Sequence, residues 1–263
     1  ELEKVFRLEK IDAVCHQAAQ MDVRKSVKDP GFDADVNIRG TINILENCVT
    51  FKTEKIVFAS TGGAIYGEQD EFPCDENHPT RPVSPYGIAK LAVEKYLYFY
   101  AAQYGLNYTI LRYANVYGPR QNPHGEAGVV AIFSTRLLKG DQPVINGEGT
   151  QTRDYVYVED VVRANLAGLS YEKNDIFNVG TGVEHDVNYL FHVLNNASGG
   201  RAKEKHGPAQ PGEQQRSVIS YGKAEKQMGW KPQVPLEEGL KKTIRYFEKK
   251  GINVNIDYSW GAT

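Results

Sequence analysis

At 263 residues the chain has room for one large α/β domain or two smaller lobes, and either buries a substantial core. Hydrophobic residues make up 41% and charged residues 24%, with a formal net charge of -2, which excludes a polybasic nucleic-acid surface and an acidic solvating tail. Cys15, Cys48 and Cys74 are far apart, with no Cys-x-x-Cys pair and no His at ligand spacing, so free thiols in a reducing compartment, the cytoplasm, and no metal site are expected.

In chain order, the charged stretch Glu1 to Lys10 is not signal-like, and no apolar run approaches the roughly 20 residues of a membrane span. "IDAVCHQAA" (11–19) reads as a strand with its exit loop, Val36 to Phe51 as a helix, and "KIVFAS" as a strand. Pro85 to Tyr104 reads as a helix and "NYTILRYA" as the next strand. Strands without internal alternation, separated by helices, predict a parallel sheet covered on both faces, the doubly wound α/β pattern. After Tyr117 the Gly/Pro/Asn loop "GPRQNPHGEAG" marks the start of a second lobe, with a helix over 129–139 and a short strand "PVIN". "RDYVYVEDVVRANLAGL" (153–169) predicts a strand and a helix, "DIFNVG" a strand, and 186–197, 222–229 and 236–250 further helices. "NVGTGVEHD" holds Gly180-x-Gly182 without a third glycine and reads as a turn.

The chemistry concentrates in "FASTGGAIYG" (58–67) and "SPYGIAK" (84–90). Spacing i, i+4 puts Tyr86 and Lys90 on one helix face, where an ammonium favours the phenolate and lowers the pKa of a Tyr that would otherwise be a poor base. A Ser or Thr hydroxyl at the end of an adjacent strand can hold a substrate oxygen beside it, giving a proton-transfer site for an alcohol or ketone. With 16 Tyr and 19 Lys, about one Tyr-x-x-x-Lys arises by chance, and the chain holds two. Tyr246-x-x-x-Lys250 has no hydroxyl-bearing strand before it and reads as a chance pair on an amphipathic helix.

Over nearly all of residues 11–251 the chain resembles the extended short-chain dehydrogenase/reductase family, and within it the nucleotide-sugar 4-epimerases of the UDP-glucose 4-epimerase type, on six ordered motifs. They are "HQAAQMDVRKSVKDP" (16–30), "NIRGTINILE" (37–46), "STGGAIYG", "YGIAK", "LRYANVYGPRQ" (111–121) and "RDYVYVEDV" (153–161). The resemblance implies a Rossmann-like doubly wound sheet formed by 1–117 and 153–180, and a smaller α/β nucleotide-sugar lobe formed by 118–152 and 181–263. It also implies bound NAD, a UDP-sugar substrate and a homodimer through the helices at 36–51 and 86–104. The aromatic run Tyr96, Tyr98, Phe99 and Tyr100 is compatible with that dimer, although such a run is more often core. Neither nucleic acid nor membrane is an expected partner.

Carried over residue by residue, the resemblance implies Tyr86 as base, Lys90 as its partner and ribose contact, and Thr61 or Ser60 as the hydroxyl. The family commonly has that hydroxyl four residues before the Tyr of "VYG", where this chain has Gly62; Thr61 is the nearer candidate. Ala18 and Ala19 would allow close backbone approach to NAD, with Asn37, Ser60 and Tyr113 around it. Asn115, Arg153, Tyr155 and Glu213 match contacts to the uridine diphosphate, Arg216 adds a phosphate contact where Gln210 replaces a common Arg, and Val129 and Asn146 complete the implied substrate set. Ser217, four residues after Glu213, matches a wall beside the sugar's C2 substituent; a small residue there leaves room for an N-acetyl group.

Related dehydratases and decarboxylases carry acidic residues soon after the hydroxyl. Here those slots are Gly62, Gly63 and Ala64, which favours plain C4 oxidation and return, interconverting UDP-glucose with UDP-galactose and the N-acetylated pair. The Gly-rich turn and the acidic ribose-binding residue of such folds have no counterpart. The first matched strand follows the usual first three, so roughly the opening 50 to 60 residues of the usual fold are expected to lie outside this sequence, or to have been lost. The alternative readings are a non-catalytic nucleotide-sugar-binding or assembly protein derived from this family and a related NAD-dependent sugar-nucleotide dehydratase or decarboxylase.

Overall fold

The computed structural model describes residues 1–124, 128–209 and 214–250. The described strands, in chain order, are β1 (Ala13–His16), β2 (Lys55–Thr61), β3 (Asn107–Tyr113), β4 (Asn115–Tyr117), β5 (Ile145–Asn146), β6 (Thr152–Tyr157), β7 (Asp175–Val179), β8 (Glu184–Asp186), β9 (His206–Gly207) and β10 (Arg216–Ser217).

β1, β2, β3 and β7 form a parallel sheet in that order, as the apolar runs predict. Lys55 through Ser60 of β2 are buried on both faces, because helices cover both sides. On one side the Gly40–Thr50 and Pro85–Tyr104 helices supply Leu45, Val93, Leu97 and Tyr100 against Ile56, Phe58 and Ile110. On the other, Val161 and Ala164 of the Val158–Ser170 helix meet Val57, Leu111, Phe177 and Trp230. The loop after β1, Thr61 and Tyr113 therefore gather at the carboxyl end of the sheet, where open α/β sheets bind ligands.

The Pro85–Tyr104 helix has the bounds its sequence signals give: Ser84 caps it by accepting from Gly87 N, Pro85 sits in its first turn, and Gly105 ends it at φ 73°. The helix expected from Val36 begins earlier. Asp29 caps a helical turn over Pro30–Ala34 by accepting from Phe32 N at 3.0 Å, a π-helical segment follows over Asp35–Arg39, and Gly40–Thr50 completes it. The cap and the proline at N1 were readable signals, but the polar stretch 33–35 hides the helical period.

A second sheet holds β10, β6 and β4 in parallel, with β8 antiparallel on β6. Its aromatic core, Tyr117, Tyr155, Tyr157, Phe133 and Phe191, is closed by the Val129–Lys139, Val187–Ala197 and Leu236–Lys250 helices. "PVIN" forms a strand only over Ile145–Asn146, paired with β9. Gly180 to Gly182 is the expected turn, its Thr181 and Gly182 amides donating to the buried Asp154 carboxylate, and it leads directly into β8.

Candidate active site

The Tyr86 helix starts hard against the turn that follows β2. A Cβ at Gly87 would lie 2.6 Å from Ala64 O and 2.9 Å from Pro82 Cβ, so only a glycine lets the helix start press on the Gly62–Ile65 turn. Thr61 caps that turn, its Oγ1 accepting from Ala64 N at 3.2 Å. One helical turn beyond Tyr86, the buried Lys90 ammonium donates to Ala59 O at 2.8 Å and lies 5.9 Å from the Tyr86 ring centre. Tyr86, Lys90 and Thr61 thus gather around the end of β2. The site differs from expectation in one respect, because the Tyr86 phenol is not lowered. Burial, with the Asp33 charge added, pushes it up to about 12, and burial pulls Lys90 down to about 8. The lysine spends its contact on Ala59 O, so desolvation governs both groups.

Between the two candidate hydroxyls the structure discriminates. Successive residues on a strand face opposite ways, and Ser60 turns under the sheet, where its buried Oγ donates to Glu94 Oε1 at 2.6 Å. The Ser60 hydroxyl thus spends its proton within a buried network, whereas that of Thr61 does not. Gly62, where the family commonly has the hydroxyl, offers none, and a Cβ there would press on the end of the Ile219 side chain at 2.6 Å and approach Tyr113 O at 3.3 Å. Thr61 remains, and a Cβ placed on Gly63 would touch Asn115 Oδ1 at 3.5 Å and Thr61 Oγ1 at 4.0 Å, so Asn115 and Thr61 border the same space.

Around the expected cofactor edge, Ala18 and Ala19 lie in the loop after β1. Asn37 is buried and ties that loop down, its Nδ2 donating to Gln20 O at 2.9 Å and its Oδ1 accepting from Gln20 N at 2.9 Å. Its side chain acts on the loop through the Gln20 backbone. Tyr113 hydrogen-bonds Asn165 Oδ1 at 3.0 Å and Gln17, and burial pushes its phenol up to about 12. Gln17, Gln20, Asp33 and Asn165 were missed in the sequence. They carry no motif of their own, and only the close approach of distant segments reveals them.

On the substrate side, Arg153 donates to Thr152 O at 2.7 Å and Gln214 O at 2.6 Å. Arg216, opposite Thr152 in register, pairs with Glu184 at 2.5 Å and stacks 3.8 Å over the Phe72 ring. Ser217 pairs with Arg153 in register and is buried. Tyr155 is packed in the lobe core against Tyr117, beside Asn115 in register. Val129 begins the Val129–Lys139 helix and Asn146 is exposed on β5. Glu213 and Gln210 lie outside the described residues.

Residues 1–180 match the family described as the NAD dependent epimerase/dehydratase family. The chain belongs to this family. It is 44% identical over 242 residues to a UDP-glucose 4-epimerase of Mycolicibacterium smegmatis, covering 92% of this chain and 77% of that protein. The crystal structure of a UDP-glucose 4-epimerase with UDP-glucose from Thermotoga maritima superposes with a TM-score of 0.93 at 49% identity, covering 95% of this chain and 81% of the other. A Thermus thermophilus UDP-glucose 4-epimerase in complex with NAD superposes with a TM-score of 0.87 at 44% identity, covering 94% and 81%. The fold is Rossmann-like, the family is NAD-dependent, and the chain is a UDP-glucose 4-epimerase-like enzyme.

Proposed function

We propose that this enzyme is a UDP-sugar 4-epimerase in which Tyr86 takes the proton from the sugar's O4 as C4 becomes a carbonyl, and returns it after the sugar has turned. Thr61 holds that oxygen, and Lys90 supports the phenolate. The observation that carries the reading is the clamp at the end of β2, where Gly87 seats the Tyr86 helix on the Thr61 turn and Lys90 bonds Ala59 O. NAD, when bound, supplies the hydride acceptor and donor at C4. The donor set suits it: Lys90 uses one N–H on Ala59 O and keeps two for a ribose diol beside Tyr86. Ala18 and Ala19 offer loop backbone held in place by Asn37.

Arg153 and Arg216 are assigned to the diphosphate, for which planar guanidinium donors are well matched, with Asn115 and Tyr155 toward the same ligand. Elimination chemistry is disfavoured because Gly62, Gly63 and Ala64, which follow Thr61, carry no acidic side chain. The small Ser217 supports acceptance of the N-acetylated pair as well as glucose and galactose. Tyr98 and Phe99, 67% and 48% exposed on the Tyr86 helix, support a homodimer through that helix, whereas Tyr100 is core.

The test is to load the enzyme with NAD, supply UDP-galactose and follow UDP-glucose. No interconversion of either sugar pair by the NAD-loaded enzyme would sink the reading. Sedimentation at several concentrations checks the dimer.

A further inference from the structure

Asp33 is 1% exposed, on the Pro30–Ala34 turn that packs against the Tyr86 helix. Its Oδ1 accepts from Gln20 Nε2 at 2.8 Å and from Asn37 Nδ2 at 3.0 Å. Its Oδ2 is buried and has no hydrogen-bond partner. A carboxylate oxygen left in that condition costs stability, and a chain that only needed to hold its loop would be served by an amide or hydroxyl. Such costs concentrate where a charge is put to use.

The geometry points to Asp33 as a positioning residue that sets the working pH of the Tyr86–Lys90 pair while it anchors the loop after β1 through Gln20 and Asn37. The other groups around the pair leave this role to it. His16 of β1 is held down at about 4 by burial and by Lys90, so its imidazole is neutral at working pH. The Val23–Lys28 helix presents the uncharged Ser26 hydroxyl, which accepts from Tyr86 N at 3.2 Å. Glu94 of the Pro85–Tyr104 helix and Arg112 of β3 neutralise one another in a buried ion pair. The Asp33 charge disfavours the Tyr86 phenolate and favours the Lys90 ammonium, so it holds the proton on both groups. Removing it must move both titrations toward lower pH together, whereas a merely structural loss has no reason to do so.

The inference rests on Tyr86 as the base, and the test separates the two ideas. In the NAD-loaded enzyme, the Tyr86 signal of isotope-labelled tyrosine is assigned by its loss in Tyr86→Phe and titrated by NMR in the parent, Asp33→Asn and Asp33→Glu, beside the pH profile of kcat/KM. Asp33→Asn is expected to move the Tyr86 titration and the rising limb of kcat/KM to lower pH by about one unit, and Asp33→Glu to restore them. Asp33→Ser serves as a second neutral replacement should the amide fail to fold. An unmoved NMR titration in a folded neutral variant overturns the role of Asp33. An NMR titration that moves without the kinetic limb upholds it and removes Tyr86 as the base.

Discussion

Glu94 and Arg112 meet in a two-pronged ion pair, Nε to Oε1 at 3.0 Å and Nη2 to Oε2 at 2.6 Å, with side chains 1% and 5% exposed between the Pro85–Tyr104 helix and β3. Ser60 donates to the same carboxylate, and Arg112 reaches Tyr66 OH at 3.0 Å, which in turn donates to Asn178 on β7 at 2.7 Å. Because Glu94 lies one turn after Lys90, and Ser60 immediately before Thr61, this network fixes the helix against the strand that carries the hydroxyl. Removing one partner leaves a buried charge uncompensated, so Glu94→Ala is expected to cost about 3–5 kcal/mol in urea unfolding. A loss below about 1 kcal/mol would show that the pair is not structurally coupled in this way.

Ser60→Ala and Thr61→Val separate the two hydroxyls, and Tyr86→Phe tests the base. Ser60→Ala is expected to lower stability by about 1–3 kcal/mol with turnover largely kept. Thr61→Val should lower kcat by about 10²-fold, with a stability loss of about 1 kcal/mol for the lost cap on the Gly62–Ile65 turn. Tyr86→Phe should lower kcat by about 10²- to 10⁴-fold while the affinity for UDP-sugar changes little. Near-normal turnover in Tyr86→Phe, or a kcat loss greater for Ser60→Ala than for Thr61→Val, would reverse these assignments.

The strands and the catalytic helix were legible because burial on both faces writes itself as unbroken apolar runs, and because Ser84, Pro85 and Gly105 mark the helix ends. The facing of Ser60 and Thr61 was not. Both are small hydroxyl residues, and only the alternation of β2, which sets Ser60 against Glu94, tells their surroundings apart. Asp33 was hidden for another reason, since its partners Gln20 and Asn37 are ordinary polar residues whose meeting depends on the chain returning to the loop after β1.

The pH profile follows from the Tyr86–Lys90 pair. Their titrations lie at about 12 and about 8, so the first proton leaves Lys90, and in that form Tyr86 can accept the O4 proton as its own phenol proton passes to the neutral lysine. That form appears as pH rises through the lower step, so kcat/KM is expected to climb toward about 8. Lys90→Met leaves Tyr86 without its ammonium, and the climb should move to higher pH. A limb that stays in place in Lys90→Met would assign it to another group.

Asp154 links the lobe to pH in the opposite way from an ordinary paired carboxylate. Burial pushes it up to about 6, outweighing the hydrogen bonds from Thr181 Oγ1 at 2.6 Å, Thr181 N at 2.9 Å and Gly182 N at 3.2 Å. The folded state therefore holds this proton more tightly than the unfolded chain. The resulting stability is full below the ordinary value of 3.8 and is lost as pH rises to about 6. The difference amounts to about 3 kcal/mol. Unfolding free energies at the two ends of that window, compared between the parent and Asp154→Asn, should show this dependence in the parent alone.

The proposed breadth of substrate puts Ser217 to the test. It is buried on β10, directly opposite Arg153 in register, so a residue assigned to the sugar's C2 side stands beside one assigned to the diphosphate. Its neighbour Val218 is fixed by the Gln69 side chain, which accepts from Val218 N at 3.0 Å, so the strand has little freedom to withdraw from a larger residue. A tyrosine at this position would fill the space that an N-acetyl group needs while leaving a hydroxyl tolerated. The parent is therefore expected to turn over both the acetylated and the unacetylated sugar pairs. Ser217→Tyr should lower kcat/KM for the acetylated pair by about 10²-fold relative to the other, and the ratio of the two values is the measure of specificity. Equal losses on both pairs would mean that Ser217 supports the fold of β10 without bordering the sugar, and the wall would then have to be sought on another element.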